Sequence, residues 1–381
     1  MKPMKSLQVI DLFFPNIDGV VRTVDRYATH MDSAVVAPAA PKGFRDKDAY
    51  PVYRSGAIRI PFVGYGWPTP AFSRRLSRQI ADYKADIIHV HSPFMLGHYT
   101  QKIAKKQGIP VVSTFHSKYY DDIKRVTHSE LLARLAVRYI VRFYEKCDVV
   151  WACSESTAGT LREYGYKGRI GVMPNGADPF ETTDREAARA AARKAYNLPS
   201  DKKLLLYVGQ LVWQKNLRLV LDTLAALDES YCLLLVGTGY YEKQIQDYAK
   251  RIGVADRCIF TGRVSDRATL EGLYLCGQLL FFPSVYDNAP LVVREAATAA
   301  LPALLTKGSN AAECVTDGEN GYLAEETVEA MSNRIISIFE NDEERESVGR
   351  RAEQTIPLPW AALAVQVERQ YADIVDKHGR K

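Results

Sequence analysis

Short apolar runs alternate with longer amphipathic stretches along the whole chain. In the first half the runs are LQVIDLFF, SAVVAP, AIRIPFV, ADIIHVH, IPVVSTF, CDVVWACS and RIGVMP. In the second half they are KLLLYVG, YCLLLVG, CIFTG, QLLFFP and LPALLT, each followed by a helical pattern such as NLRLVLDTLAAL. Short apolar runs separated by helical patterns are typical of buried parallel strands. The pattern therefore predicts an α/β protein with two doubly wound, parallel-sheet domains.

The length of the chain also favours two domains, because one hydrophobic core rarely organises 381 residues. We place the domains at residues 1–178 and 179–357, and predict that the Ala-rich stretch TTDREAARAAARKAYNLPSD between them is a connecting helix. No apolar run is long enough to span a membrane, and no leader cleavage site follows the first apolar run. We therefore expect a cytoplasmic protein. Cys153, Cys232 and Cys276 lie in or beside apolar runs, which predicts buried, reduced thiols.

Charge is distributed unevenly between the two halves. Residues 1–178 carry 26 lysines and arginines against 16 aspartates and glutamates, whereas residues 179–381 carry 24 against 29. The first half is therefore strongly basic and is expected to face an anionic partner. A membrane surface and nucleic acid are both anionic, but the basic residues do not fall into a known nucleic-acid-binding module, so nucleic acid is disfavoured.

Ligands of open parallel sheets bind at the carboxyl ends of the strands, so the residues after each apolar run are candidates for chemistry. In the first half, Gly19 stands where a helix begins and lets backbone N–H groups approach a phosphate or a hydroxyl, with a plain tight turn as the alternative. His89, His91 and His116 end two later strands. The spacing supplies too few further ligands for zinc, and packing at strand ends is the alternative. Tyr119, Tyr120, Asp121 and Asp122 follow His116 and are suited to a polyhydroxylated molecule.

In the second half, glycines follow three strands in VGQ, VGTG and TGR, and Lys215 follows the first of them near a helix start. A lysine beside a helix N-terminus is suited to hold a diphosphate, although a solvated surface lysine is the alternative. The stretch SVYDNAPLVVREAA then places Asp287 in a loop and Glu295 one turn into a helix. Carboxylates accept hydrogen bonds from vicinal hydroxyls, so two of them around a phosphate-binding helix start suggest a sugar nucleotide. The alternative is that Asp287 caps the helix and Glu295 pairs with an arginine.

Taken together, the D-x7-E spacing of Asp287 and Glu295, Lys215 in VGQLVWQKN, MPNGAD at 173–178 and GSNAAECVTDGENGYL resemble the family-four retaining glycosyltransferases of the GT-B fold. The resemblance spans nearly the whole chain. It implies two Rossmann-like domains facing across a cleft, with the acceptor on the first and a nucleotide-activated sugar on the second. It also implies that the last helix, within residues 358–381, crosses back to the first domain.

The resemblance assigns roles position by position. It implies that His116, Lys215 and Asp287 are catalytic, with Glu295 on the ribose and Lys215 on the diphosphate. The implied donor-binding residues are Gly19, Gly209, Gln210, Lys215, Gly237, Arg263, Asp287, Asn288, Ala289, Pro290, Leu291, Val292 and Glu295, and the implied acceptor residues are His91, Tyr119, Tyr120 and Asp121. Three positions depart from the family pattern: Asp287 replaces a glutamate, Pro290 a glycine and Gln210 an arginine. Arg263 or Arg294 is the candidate replacement for the missing positive charge.

We expect retaining transfer from a UDP-hexose without a metal ion or other cofactor, because Lys215 and helix amides stabilise the leaving diphosphate. The only D-x-D string, at Asp46 and Asp48, lies in a polar loop and is predicted to be surface. Arg134, Arg138 and Arg142 form a basic stripe on one helix, and the loop before it combines Tyr65 and Trp67 with Arg74, Arg75 and Arg78. Aromatic and basic residues together are typical of membrane interfaces, although a solvated helix face is the alternative for the stripe.

The chain is also similar to family members that glucosylate diacylglycerol, so a membrane lipid is the expected acceptor and the inner face of the cell membrane the expected location. Three alternatives remain open. In the first, the acceptor is a soluble molecule or a polysaccharide. In the second, the chain binds a nucleotide sugar without transferring it. In the third, it epimerises a sugar nucleotide on the same fold.

Overall fold

The structure, a computed structural model, describes residues 4–46, 48–59 and 66–379. The chain forms two compact units, one of Met1–Asn175 with Trp360–Lys381 and the other of Gly176–Pro359. Each unit is a parallel sheet flanked by helices, as the alternation of apolar runs predicts. Among the described residues no helix is both long and apolar enough to cross a membrane.

The described strands of the first unit are β1 (Ser6–Val9), β2 (Ser33–Ala37), β3 (Val52–Arg54), β4 (Ala57–Arg59), β5 (Gly66–Pro68), β6 (Ile87–Val90), β7 (Val111–Phe115), β8 (Val149–Ala152) and β9 (Ile170–Val172). The unit is built on a parallel sheet in which seven of them follow the order β3-β2-β1-β6-β7-β8-β9. Its first six helices are α1 (Gly19–His30), α2 (Arg74–Tyr83), α3 (Met95–Gln107), α4 (Tyr119–Thr127), α5 (Glu130–Tyr144) and α6 (Glu155–Glu163). The central strands β1, β6 and β7 are fully buried, because helices cover both faces of such a sheet.

The described strands of the second unit are β10 (Lys203–Val208), β11 (Tyr231–Val236), β12 (Cys258–Gly262), β13 (Leu279–Phe282), β14 (Ala303–Thr306) and β15 (Tyr322–Ala324). The unit repeats the arrangement, with these strands in the order β12-β11-β10-β13-β14-β15. Its helices are α7 (Arg185–Ala195), α8 (Leu217–Ala226), α9 (Glu242–Arg251), α10 (Arg267–Cys276), α11 (Leu291–Thr298), α12 (Val328–Glu340) and α13 (Asp342–Thr355). In both sheets the strand order reverses beside the first strand of the unit, which is where ligands of such sheets bind.

The last helix, α14 (Trp360–His378), belongs to the first unit. Trp360 meets the ring of Tyr27 on α1 edge to face, with 5.7 Å between centroids. The Tyr371 hydroxyl hydrogen-bonds His89 Nδ1 on β6 at 2.6 Å and accepts from Gln8 Nε2 on β1 at 3.3 Å. Aromatic packing and buried hydrogen bonds therefore hold α14 on the first sheet.

Three details differ from the sequence expectation. The described part of AIRIPFV is not a strand of the parallel sheet, because β4 pairs antiparallel with β5 in a separate two-stranded sheet. The Ala-rich stretch is a helix, α7, but it packs within the second unit against α10. Gly272 permits the close approach, since a Cβ there would lie 2.6 Å from the Ala188 carbonyl oxygen. The short strands β3, β5 and β15 were not predicted, because three residues are too few to show a period.

Candidate functional site

The carboxyl edge of the second sheet is lined by loops that approach each other backbone to backbone. Gly209 follows β10 and Gly237 follows β11, and a Cβ at Gly237 would lie 2.0 Å from the Gly209 carbonyl oxygen. Gly237 also has a φ of +139°, a conformation that side chains rarely adopt. Next along the loop, a Cβ at Gly239 would lie 2.3 Å from the Leu211 carbonyl oxygen. Glycine is therefore required at this edge to bring the two loops together.

Lys215 and Asp287 meet at this edge. Lys215 ends a short 3-10 turn, Trp213–Lys215, and Asp287 lies in the loop between β13 and α11. The Lys215 Nζ is 2.5 Å from Asp287 Oδ1, and Ser284 Oγ donates to Asp287 Oδ2 at 2.6 Å. The side chains of Lys215 and Asp287 are only 13% and 17% exposed. The structure thus joins two residues that lie 72 positions apart into a partly buried ion pair.

Helix α11 begins directly after this loop. Its N-cap is Pro290, with φ −66° and ψ 130°, and no side chain caps its first turn. Among the residues that the structure describes, no side-chain capping bond thus serves the amides of the first helical turn. The alternative in which Asp287 caps the helix is not seen, because its carboxylate is engaged by Lys215 and Ser284. Asn288 beside it is buried and accepts from Asn310 Nδ2 at 3.0 Å, which fixes the loop before the helix.

Glu295, one turn into α11, is held by two partners. The Tyr274 hydroxyl donates to Glu295 Oε2 at 2.8 Å, and Arg267 Nη1 lies 3.7 Å from Glu295 Oε1. The alternative pairing with an arginine is therefore present in the structure. Arg267 itself is anchored by Glu271, whose buried carboxylate accepts from Arg267 Nε at 2.8 Å and from the backbone amides of Glu181 and Thr182.

Arg267 was missed by the sequence reasoning. Its signal is the i, i+4 spacing of Arg267 and Glu271 on α10, which is common on helix surfaces and so carries little information alone. The other proposed cations are placed differently. Arg263 is exposed just after β12, whereas Arg294 Nη1 donates to the Ile356 carbonyl at 2.5 Å. Gln210 is exposed, and its backbone carbonyl accepts a hydrogen bond from the Tyr207 hydroxyl at 3.1 Å.

A buried chain of hydrogen bonds runs along the carboxyl edge of the first sheet. His91 Nε2 is 2.9 Å from Gln8 Oε1, His91 Nδ1 is 3.0 Å from His116 Nε2, and His116 Nδ1 is 3.2 Å from Cys153 Sγ. His89 is engaged at both nitrogens as well, by Tyr371 and by Thr114 Oγ1 at 2.7 Å. His89 lies within β6, whereas His91 and His116 directly follow β6 and β7. Each ring nitrogen of all three is engaged inside the protein.

The direction of donation along this series of hydrogen bonds follows from the Gln8 side chain. The amide oxygen of Gln8 can only accept, so His91 carries its proton on Nε2 and accepts at Nδ1. His116 then donates from Nε2, and its Nδ1 accepts from the Cys153 thiol. Burial lowers the pKa of His116 to about 3, and burial together with the neighbouring imidazoles lowers the pKa of His91 well below its ordinary value. The rings are neutral at physiological pH.

The other first-unit residues differ in how accessible they are. Gly19 opens α1, and a Cβ there would meet open space, but the Asp18 carboxylate already caps this helix by accepting from the Val21 amide at 2.8 Å. Tyr119 is buried between Phe94 and Phe115, with ring centroids at 5.4 and 5.7 Å. The Tyr120 amide donates to the Tyr164 hydroxyl at 3.0 Å, and Asp121 is exposed.

One further carboxylate at this edge was missed. Asp11 follows β1, and its Oδ1 accepts from the Leu96 amide at 2.9 Å at the start of α3. Its Oδ2 is buried and has no hydrogen-bond partner among the described residues. Burial raises the pKa of Asp11 to about 7, against the lowering effect of the Leu96 and Gly97 amides. A single aspartate after a strand gives no signal in a sequence.

No metal-binding group is evident in the part of the chain that the structure describes, where no three His, Cys, Asp or Glu side chains could hold an ion. Asp46 of the D-x-D string accepts from Arg54 Nε at 3.2 Å, whereas the residue between Asp46 and Asp48 lies outside the described residues. Tyr65 of the predicted membrane-facing loop lies outside them too.

Both units match known protein families. The family model for glycosyl transferases group 1 matches residues 188–355, and the model for glycosyltransferase family 4 matches residues 17–180. The two matches together account for most of each unit. The chain belongs to the glycosyltransferases that these two models describe. As a member, it is an enzyme, a glycosyltransferase.

Relatives and solved structures cover nearly the whole enzyme. A GDP-mannose-dependent alpha-mannosyltransferase from Corynebacterium glutamicum is 25% identical over 98% of this chain and 90% of its own. An alpha-monoglucosyldiacylglycerol synthase from Acholeplasma laidlawii is 23% identical over 97% of both chains. The crystal structure of HepE from Anabaena with UDP-glucose superimposes with a TM-score of 0.76 at 18% identity, over 98% of this chain and all of that one. The fold of this glycosyltransferase is thus GT-B.

Proposed function

We propose that this glycosyltransferase moves a hexose, with retention of configuration and without a metal ion, from a nucleoside-diphosphate donor to a hydroxyl of a membrane lipid such as diacylglycerol. The observation that carries the proposal is the ion pair of Lys215 and Asp287 beside the uncapped start of α11, with Glu295 one turn further on. A cation and helix amides suit a diphosphate, and two carboxylates suit the hydroxyls on either side of it.

In this proposal the diphosphate binds at the Gly209 and Gly237 loops and takes over the Lys215 ammonium from Asp287. Asp287, released from the pair, accepts from hydroxyls of the donor sugar. Glu295 is presented to the ribose, with Arg267 and Tyr274 fixing the orientation of its carboxylate. The ion pair thus keeps both side chains oriented before the donor arrives.

The reaction breaks the bond between the anomeric carbon and the diphosphate oxygen and forms a bond from that carbon to the acceptor oxygen on the same face. The acceptor proton passes to the departing phosphate oxygen, so no protein nucleophile is required. Negative charge grows on the diphosphate as the bond breaks, and Lys215 together with the α11 amides stabilises it. These fixed positive groups take the part that a divalent ion plays elsewhere, so we expect full activity after divalent ions are chelated. A strict metal requirement would contradict this mechanism.

UDP is our first expectation for the donor base. The named relatives divide on the sugar, because one is a GDP-mannose-dependent mannosyltransferase and another a glucosyldiacylglycerol synthase. The second name supports a lipid acceptor, as does the basic first half of the chain. Both also support our proposal that the enzyme works at the inner face of the cell membrane. Transfer to a soluble or polysaccharide acceptor is the second candidate, favoured by the mannosyltransferase relative if the donor is GDP-mannose.

Thermal unfolding against UDP-, GDP- and ADP-sugars tests the donor site, because a ligand that binds only the native state raises its stability. We expect one nucleotide class to raise the melting temperature of the wild type, and the shift to disappear in Glu295→Ala. Glu340→Ala, at an exposed glutamate in the same unit, is the matched control and should retain the shift. No shift with any nucleotide sugar would argue against a donor site in this protein.

The acceptor is tested next with the donor so identified. Labelled sugar should pass to diacylglycerol in mixed micelles and not to water-soluble polyols or oligosaccharides. Transfer only to the soluble acceptors would establish the second candidate. Donor binding without release of sugar to any acceptor or water would identify an inactive binder, and conversion of the donor sugar in the absence of acceptor would identify an epimerase.

A further inference from the structure

Exposed apolar side chains are concentrated on one part of the first unit. Fourteen large hydrophobic residues are exposed among the described residues, and ten of them lie between positions 58 and 139. The ten are Ile58, Trp67, Phe72, Phe94, Met95, Val126, Leu131, Leu132, Leu135 and Tyr139. Scattered exposed leucines need no explanation, but so many within one segment indicate an interaction surface.

The densest part is the hairpin of α4 and α5, which we call the α4–α5 face and define by Val126, Leu131, Leu132, Leu135 and Tyr139. Val126 is 75% exposed at the end of α4, and Leu131 is 67% exposed in the first turn of α5. On a helical period Leu131, Leu135 and Tyr139 share one stripe, opposite the buried residues that hold α5 on the sheet. Their exposure is therefore not a by-product of a poorly packed helix.

A basic stripe runs beside the apolar one. Arg134, Arg138 and Arg142 follow each other at every fourth residue of α5, adjacent to the leucine stripe on the exposed side. Arg134 lies 3.7 Å from Glu130, whereas Arg138 and Arg142 are exposed on the remaining length of the helix. An apolar stripe flanked by arginines is the arrangement of helices that lie in a membrane interface.

The α4–α5 face continues toward the carboxyl edge of the sheet. The rings of His98 on α3 and Tyr139 are 4.8 Å apart between centroids and tilted by 42°, and Gln101 Nε2 donates to the Phe143 carbonyl at 3.2 Å, so α3 lies beside α5. Phe94 and Met95, at the start of α3, are exposed at that edge. The apolar surface thus reaches the edge where His91, Tyr119 and the other predicted acceptor residues lie.

The positive charge around this surface indicates which kind of partner binds it. Residues 70–146 carry fourteen lysines and arginines against six aspartates and glutamates. A second copy of the chain would bring like charges together, and nucleic acid would leave the leucines without a partner. An anionic bilayer satisfies both features, because its headgroups attract arginine and its acyl chains accept leucine.

We propose that the α4–α5 face docks on an anionic lipid bilayer, with its leucines inserted below the headgroups and Arg138 and Arg142 on lipid phosphates. This inference rests on the proposed lipid acceptor and deepens it. Docking at this face brings the carboxyl edge of the first sheet to the membrane surface, where a lipid hydroxyl can enter the site without leaving the bilayer. The enzyme binds the membrane through this surface whether or not donor is present.

Co-sedimentation with vesicles tests the proposal. The full-length protein should bind phosphatidylcholine vesicles that contain phosphatidylglycerol, bind pure phosphatidylcholine weakly, and dissociate as the salt approaches about 0.5 M. Leu131→Gln with Leu135→Gln, and separately Arg138→Gln with Arg142→Gln, should each weaken binding at least about tenfold. Both pairs are exposed, so their melting temperatures should match the wild type.

The matched controls are Val365→Gln on α14 and Arg162→Gln on α6, both exposed in the same unit, and both should bind as the wild type does. Equal binding by wild type and face variants would overturn the proposal. So would a dimer in light scattering that the leucine variants abolish, or vesicle binding that does not depend on lipid charge. Transfer to a short-chain diacylglycerol in solution keeps the two proposals apart. The face variants should retain this transfer in solution. If the wild type binds vesicles but shows no such transfer, only the proposed acceptor is refuted.

Discussion

Substitutions in the ion pair of Lys215 and Asp287 are expected to change nucleotide affinity in opposite directions. Replacing Lys215 by glutamine removes a charge-assisted contact to the diphosphate, and such contacts are worth about 1.5–3 kcal/mol. The dissociation constant for the nucleoside diphosphate should therefore rise by roughly ten- to one-hundredfold. Replacing Asp287 by asparagine removes the carboxylate that competes for the ammonium at 2.5 Å. Since both side chains are mostly buried, solvent screens this competition little, and the same diphosphate should bind up to about tenfold more tightly.

The assay is isothermal titration with the nucleoside diphosphate of the class that the thermal panel identifies, followed by steady-state transfer with the complete donor. Asp287→Asn should combine tighter diphosphate binding with a fall in kcat, because the lost carboxylate is proposed to hold the donor sugar. Lys215→Gln should lose both affinity and kcat, because the ammonium also stabilises the charge of the leaving group.

An exposed pair in the same unit provides the control. Lys243 lies 2.8 Å from Asp247, and Lys243→Gln and Asp247→Asn should leave affinity and kcat unchanged. The reasoning is refuted if Asp287→Asn weakens diphosphate binding as much as Lys215→Gln does, since the carboxylate would then support the nucleotide instead of competing with it. Unchanged kcat in Asp287→Asn would remove its role on the sugar.

Two further predictions concern stability. Because the pKa of Asp11 is raised to about 7, its contribution to folding is full below its unfolded pKa near 3.8 and is lost as pH rises toward 7, by up to about 4 kcal/mol. Denaturant unfolding across that pH range should show a smaller loss of unfolding free energy for Asp11→Asn than for the wild type. The control is Asp86→Asn, at an exposed aspartate that also accepts a hydrogen bond from a backbone amide, and it should follow the wild type. Parallel curves for Asp11→Asn and the wild type would contradict this. Gly237→Ala should cost at least about 2 kcal/mol, because the new Cβ would overlap the Gly209 carbonyl oxygen, while Gly19→Ala, which meets open space, should unfold like the wild type. Equal stability of the two alanine variants would show that the loops separate freely.

The sequence predicted the α/β class and nearly every long strand, because a strand covered by helices on both faces must be a continuous apolar run. It missed β3, β5 and β15, and it assigned AIRIPFV to the parallel sheet when its described part pairs antiparallel with β5. Runs of three residues show no period, and the partner of a strand is not written in its own residues. The residues proposed for the donor site were likewise found from their places after strands, and their roles stay predictions.

Local sequence determined where each chemical group lies along its own strand or helix: Lys215 before α8, Pro290 at the start of α11 and Glu295 one turn later. Only the tertiary structure decided which groups meet. Asp287 faces Lys215 instead of capping its own helix, Arg267 reaches Glu295 from α10, and His116 is enclosed by His91 and Cys153. The physical reason is that helical and strand periods act over a few residues, whereas an ion pair or a buried hydrogen bond depends on the packing of strands that lie far apart in the chain.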